Sequence, residues 1–520
     1  MIWVGMGFSA GGRLRILGLL ASGAAVLLAA AWASASNLAE AVRTVPAASS
    51  AGASRAQIPS NGVAAVSPTT LAGLDKRIHQ HSRAHASMRA PAFPVPGSSW
   101  RVYGADLSNT RSNPSGPAPS AVSGLSKVWE FDSSDGDFTG TPIVADGTVF
   151  LGSNGVTNNG NTTGQLIALS EKSGALLWKV SVDGPVNSSA AYANGRVYFG
   201  VARPGSPYVI ALDAMNGHVF WKTTLTTQPE SDSYASPQIF DGDVIIGTSA
   251  LFGETRSSTP PTVRGSVVRL NGVNGATVWQ TFTVAPGFTG GGVWTTAAVD
   301  PSTSTIFVGT GNAYQAPADS HTDAVLALDF ATGRILRFYQ ATSGDTFAFS
   351  NPAGPDYDFG ASPNLFQLPD GTAAVGDGQK SGVYWAFDRA TLTPRWKQTV
   401  STGSGAGGIL GSTAFNGSRI FGPATVPGEV WSLNRDGGYA WLEPSPDLIK
   451  WGPVSYSNGV VYAASSAGFL QAWNSDGVPL TEVPLGASSF GGVSIAGGTV
   501  FVSVGTSFGS SGAVEAFRAS

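Results

Sequence analysis

The side chains that could do chemistry fall between residues 254 and 380. Glu254 follows the apolar run Val244-Ile245-Ile246-Gly247-Thr248, and Asn312 ends Gly309-Thr310-Gly311-Asn312. Asp356 and Asp358 lie in Gly354-Pro355-Asp356-Tyr357-Asp358-Phe359-Gly360, Lys380 lies in Gly378-Gln379-Lys380-Ser381-Gly382, and Trp294 follows Gly290-Gly291-Gly292. Glu, Asn and Asp together are an oxygen-donor set that suits Ca2+. Taken singly, each residue has a plainer reading: Asn312 and Asp358 as turn caps, Lys380 and Glu254 as solvated loop charges, Trp294 as a packing wedge. They make a site only if the fold aims them at one place.

The elements that carry them repeat. Ala-Leu-Asp, a turn ending in Gly, and a Trp ten residues after the Ala recur as Ala168 to Trp178, Ala211 to Trp221 and Ala386 to Trp396. Arg269 to Trp279 keeps the spacing, Ala327 to Arg337 keeps the turn without the Trp, and shortened copies start at Ser432 and Ala472. Each copy reads as two strands around a turn whose Asp caps backbone amides and whose Gly supplies positive φ. Before each lies a small residue, an alternating apolar strand, a Gly turn and a second apolar strand, as in Thr141-Pro142-Ile143 to Phe150 and Ser236-Pro237-Gln238 to Ile245. Four short antiparallel strands repeated eight times predict an all-β, eight-bladed β-propeller.

The chain ends on a third strand, Ala513 to Phe517, while Lys127-Val128-Trp129-Glu130-Phe131 precedes the first blade with no third strand of its own. The N-terminal strand is therefore expected to close the last blade and remove an exposed edge. In such a ring the loops entering strand A and joining B to C open on one face. The long insertions 252–265, 312–323 and 343–360 all fall there, and with them the candidate residues.

Composition fits this frame. Charged residues are 12% of the chain, Gly numbers 68 and Pro 32, a balance that disfavours long helices. A net charge of −4 without a Lys/Arg run argues against nucleic acid as a partner. Cysteine is absent, which excludes disulfides, iron–sulfur clusters and c-type haem attachment, so any electrons pass to a separate acceptor. Residues 1–36 read as an export signal: Arg13 and Arg15, the apolar run Ile16 to Trp32, then Ala33-Ser34-Ala35. Uncleaved, that run would serve as a membrane anchor; cleaved, it leaves no stable span. Residues 37–97 read as an Ala/Ser/Pro-rich linker in which His79, His81 and His85 are solvated, and 98–520 as the propeller.

Trp100-Arg101-Val102-Tyr103-Gly104, Val263-Arg264-Gly265-Ser266-Val267, Gly354 to Pro363 and Gln379-Lys380-Ser381-Gly382 resemble the pyrroloquinoline-quinone (PQQ)-dependent alcohol dehydrogenases, and within them the polyvinyl-alcohol-dehydrogenase-like branch. The resemblance covers roughly 100–520. It implies PQQ and Ca2+ as cofactors, Trp294 as the floor under the quinone, and Glu254, Asn312 and Asp356 as metal ligands. Asp356 is also the implied catalytic base and Lys380 the basic residue beside the quinone carbonyls, with Ser188 and Trp451 as further quinone contacts. It further implies an alcohol, secondary or polymeric, as substrate, an external electron acceptor such as a cytochrome c, and work in the periplasm or outside the cell. The chain departs from the pattern where many members have an adjacent cysteine pair, an Arg (here Ser188) and a Trp before the catalytic Asp (here Pro355). Two other classes stay open at this stage. One is a non-catalytic envelope scaffold. The other is a polymer- or glycan-binding propeller using Tyr314, Phe347 and Phe349.

Overall fold

A computed structural model describes residues 97–520, apart from 159–160, 445–447 and 508. The expected export signal and nearly all of the linker, with its three histidines, lie outside the described residues. Eight antiparallel sheets follow one another around a ring. Blade 1 is built from Ile143–Ala145, Thr148–Gly152, Asn161–Ser170 and Leu176–Val182, with Val156–Asn158 added beside its third strand. Blades 2 to 7 span 191–224, 238–282, 298–340, 364–399, 414–443 and 455–484. Blade 8 is Val493–Ala496, Thr499–Val504 and Gly512–Ala519, and its fourth strand is Leu125–Ser133, paired antiparallel from Leu125↔Ala519 to Ser133↔Gly512. The expected closure is present. Among the described residues no helix is long and apolar enough to cross a membrane.

Blades pack face to face, so their second strands are buried on both sides and read as continuous apolar runs, whereas outer strands such as Leu176–Val182 are mostly exposed. The repeat's Trp supplies the junction. Trp178 Nε1 donates to Ala214 O of blade 2 at 2.9 Å, and its ring packs on Gly217, where a Cβ would come within 3.0 Å of the indole. Trp129, Trp221, Trp279, Trp396 and Trp441 repeat both contacts on the next blade. The exceptions follow from the same geometry. In blade 4 Arg337 replaces the Trp, keeps the bond by donating Nη2 to Arg389 O at 3.3 Å, and faces Leu392 (φ 57°) where the other turns have Gly. Blade 7 has Leu480 because blade 8, closed by the N-terminal strand, has no turn between its last two strands for an indole to pack on.

The small residue that opens each inner hairpin also has a structural cause. Thr141 N donates to Ser189 Oγ, Ser189 N to Ser236 Oγ, Thr296 N to Ser362 Oγ and Ser362 N to Ser412 Oγ, all at 2.8–2.9 Å. Hydroxyls thus stitch neighbouring blades around the channel.

Residues 97–116 form a belt inside the ring on the face of the A–B turns. Gly97, Trp100, Arg101, Asp106, Leu107, Ser108, Thr110 and Arg111 exchange backbone-oxygen hydrogen bonds with blades 8, 1, 2, 3, 4, 5, 6 and 7 in that order. Arg111 is fully buried and spends all its N–H groups on Val454 O, Tyr103 O, Thr141 Oγ1, Ser455 Oγ and Val493 O. Burial without a carboxylate lowers its pKa to about 10.

Candidate active site

Asp358 ties the candidate residues together. Its Oδ1 accepts Asn312 N–H at 2.7 Å, and its Oδ2 accepts Trp294 Nε1–H at 3.2 Å and Lys380 Nζ–H at 2.9 Å. Gly311 makes room for this carboxylate and Gly360 for the Trp294 ring, since a Cβ at either would stand about 3 Å away. Lys380 Nζ also lies 2.8 Å from Asp356 Oδ1 and 5.6 Å from the centroid of the Trp294 ring. Burial alone would lower the pKa of the Lys380 ammonium, but Asp356 and Asp358 hold it above its usual value.

Asp356 is 6% exposed, and its pKa is pushed up to about 7, chiefly by burial; Lys380 opposes the rise and Asp358 adds to it. Its backbone is left-handed (φ 61°), a conformation that disfavours residues with a side chain. Oδ2 of Asp356 takes no hydrogen bond among the described residues, and Gly405 approaches that atom so closely that a Cβ would meet it at 2.7 Å.

Glu254 stands on the short helix Leu251–Arg256, inside the B–C loop of blade 3. The helix is capped from another loop: Asp232, fully buried, accepts Phe252 N–H at 2.8 Å and the Ser249 hydroxyl. Burial raises the Asp232 pKa to about 6. Burial, and then the charges of Asp358 and Asp356, push Glu254 well above the carboxylate range, and Tyr314 is raised by burial and by Glu254. Asn312 spends its amide N–H groups on Ala313 O (2.6 Å) and Phe347 O (2.7 Å), and among the described residues no hydrogen bond reaches its Oδ1.

The structure therefore gathers Glu254, Asn312, Asp356, Lys380 and Trp294 on one side of the ring. Trp294 also lines an axial cavity of about 120 Å³ with Ser188 and Trp451, from the loops that enter blades 2 and 7. Tyr103 of the belt lines it as well, its hydroxyl donating to Ser412 Oγ at 2.7 Å. Thr295 Oγ1 and Asn187 Oδ1 line the same cavity, buried and without hydrogen bonds.

The residues fit the implied groups on these observations. Trp294 gives the axial cavity an aromatic face, and Thr295 Oγ1 and Asn187 Oδ1 give it unpaired polar atoms, the lining chemistry that a planar polar quinone needs. Beside it, Asp356 Oδ2, Asn312 Oδ1 and Glu254 offer oxygen donors in a cluster where carboxylates outnumber the single ammonium. Among the described residues no three His, Cys, Asp or Glu side chains stand at metal-binding spacing, and the Lys380 ammonium lies between Asp356 and Asp358.

Sequence reasoning missed Asp232 and Asp345. Asp345, 2% exposed, accepts Tyr357 N–H at 2.8 Å and Asp356 N–H at 3.4 Å. Both act on backbone amides, so no motif announces them.

A family profile described as "Outer membrane protein assembly factor BamB" matches residues 120–398, just over half of the chain. The chain is 28% identical over 475 residues to a polyvinylalcohol dehydrogenase of Pseudomonas sp., covering 78% of this chain and 72% of that protein. A polyvinylalcohol dehydrogenase of Sphingopyxis sp. (strain 113P3) is 27% identical over 422 residues, covering 66% of this chain and 64% of that one. Among solved structures, a quinohemoprotein alcohol dehydrogenase from Comamonas testosteroni superposes with a TM-score of 0.67 at 19% identity, over 81% of this chain and 80% of that one. The resemblance to PQQ-dependent alcohol dehydrogenases is thereby borne out.

Proposed function

We propose that the chain, which belongs to the family whose profile matches residues 120–398, works as a PQQ-dependent alcohol dehydrogenase. It is an oxidoreductase acting on CH–OH groups. The observation that carries this reading is the buried chain Asp356–Lys380–Asp358–Trp294, bonded at 2.8, 2.9 and 3.2 Å. A buried carboxylate, ammonium and indole bonded in a chain beside a cavity favour a catalytic site over a protein-binding scaffold.

When bound, PQQ supplies the two-electron oxidant and a hard cation such as Ca2+ supplies Lewis acidity. The chain's own residues do the rest. Asp356 Oδ2 takes the hydroxyl proton of the alcohol; a carboxylate with a pKa near 7 is a base matched to neutral pH. Lys380 keeps Asp356 oriented and places positive charge where an oxyanion develops. Trp294, its ring fixed by the bond to Asp358, would hold the quinone together with Ser188 and Trp451, which line the same cavity. Glu254, Asn312 Oδ1 and Asp356 would hold the cation.

The names of the polyvinylalcohol dehydrogenases support a secondary or polymeric alcohol as substrate. The expected export signal supports work outside the cytoplasm, with electrons leaving to a separate acceptor such as a cytochrome c. The test is dye-linked oxidation of secondary alcohols and polyvinyl alcohol by protein loaded with PQQ and CaCl2. Turnover lost in Asp356→Asn supports the reading, and no turnover on any alcohol by protein shown to be loaded refutes it.

A further inference from the structure

The geometry points to Asp345 as a positioning residue for Asp356, an inference that rests on the dehydrogenase reading. Asp356 occupies the left-handed region, where a side chain meets its own backbone, and nothing in its sequence neighbourhood relieves that. Such a conformation persists only if its surroundings over-determine it. Asp345 does so from eleven residues away: Oδ1 and Oδ2 receive the consecutive N–H groups of Asp356 and Tyr357. The Tyr357 bond, at 2.8 Å, has the short length of a charge-assisted one, and the Asp356 bond, at 3.4 Å, is the longer and weaker of the pair. Gly354 admits the carboxylate, since a Cβ there would fall 2.1 Å from Oδ1.

The same short segment braces Asn312. Phe347 N donates to Ala313 O, Ala313 N to Asp345 O, and Asn312 Nδ2 to Phe347 O. One strip of backbone thus fixes a proposed cation ligand, while its leading side chain fixes the turn that presents the base. Losing the carboxylate lets that turn relax, and a displacement of about 1 Å at a reacting group lowers turnover by on the order of 100-fold.

The test compares Asp345→Ala and Asp345→Asn with the parent protein. In Asp345→Ala, kcat should fall about 10- to 100-fold while KM for the alcohol and the PQQ affinity from indole quenching stay within about threefold. Asp345→Asn, which keeps one acceptor, should recover part of the loss. Independently of activity, hydrogen–deuterium exchange of the Asp356 and Tyr357 amides should quicken at least tenfold in Asp345→Ala and less in Asp345→Asn, with the blade strands unchanged. Unchanged exchange there, or unchanged kcat, overturns the positioning role, as does a loss spread over the whole propeller. A parent protein that binds PQQ without turnover refutes the dehydrogenase reading instead, and the exchange experiment still decides the role of Asp345.

Discussion

Replacing Asp232 by Asn should make the metal-free protein more stable at pH 8 than the parent, and the advantage should vanish in acid. Asp232 is fully buried and accepts from Phe252 N and Ser249 Oγ, with no cation beside it. Its folded pKa of about 6 lies above the ordinary 3.8, so between these values the folded state holds a proton that the unfolded chain has lost. Stability from this group is therefore full below pH 3.8 and is lost as pH rises through about 6. At about 1.4 kcal/mol per pH unit, the loss is roughly 3 kcal/mol by pH 8. Asn keeps the oxygen for Phe252 N–H and can donate to Ser249 Oγ, so the bonds survive without the buried charge. A domain of this size unfolds with an entropy of about 0.9 kcal/mol/K, so the gain corresponds to roughly 3 °C in Tm. Thermal melts in chelator from pH 4 to 8 should show the two curves converging in acid and separating through pH 5–7. Parallel curves, or a variant less stable at pH 8, would refute the argument. Asp356 titrates alike in both proteins, whereas Glu254, raised in part by the Asp232 charge, is relieved in the variant and adds to the gain in the same direction.

Trp178→Ala should cost about 3–5 kcal/mol in urea unfolding, and Arg337→Ala about 1, because the arginine keeps only the hydrogen bond of the indole. Equal losses would contradict the junction analysis. Arg111→Met should lower stability by about 2–3 kcal/mol, since it strands the buried Val454 carbonyl and leaves Tyr103 O and Val493 O with only Trp100 Nε1 and Ser455 Oγ, and Arg111→Lys should recover only part. In the loaded enzyme kcat/KM should rise with pH and level off at or below about 7, as Asp356 ionises, with the midpoint moving lower as Ca2+ saturates. A rate that falls as pH rises through that range would exclude Asp356 as the base.

The blades were legible in the sequence because one geometric need, an indole on a left-handed glycine of the next blade, recurs as a fixed Trp and Gly spacing. The degenerate copies were legible as copies, but the reason for Leu480 needed the closed ring. The belt was not legible: residues 97–116 pair with eight blades mostly through backbone atoms, which leave no side-chain period. At the site, Glu254, Trp294, Asn312, Asp356 and Lys380 stood out because insertions gather on one face. Asp232 and Asp345 did not, since each serves amides 20 and 11 to 12 residues away. Asp358 read as a turn cap, whereas its carboxylate holds the Trp294, Asn312 and Lys380 loops together.

The most direct test of the account is titration of the metal-free protein with PQQ, with and without Ca2+, following indole fluorescence. Saturable quenching that needs Ca2+ and weakens in Trp294→Ala and Glu254→Gln is the predicted result. No saturable quenching at high PQQ excess, with Ca2+ present and the propeller folded, would contradict it.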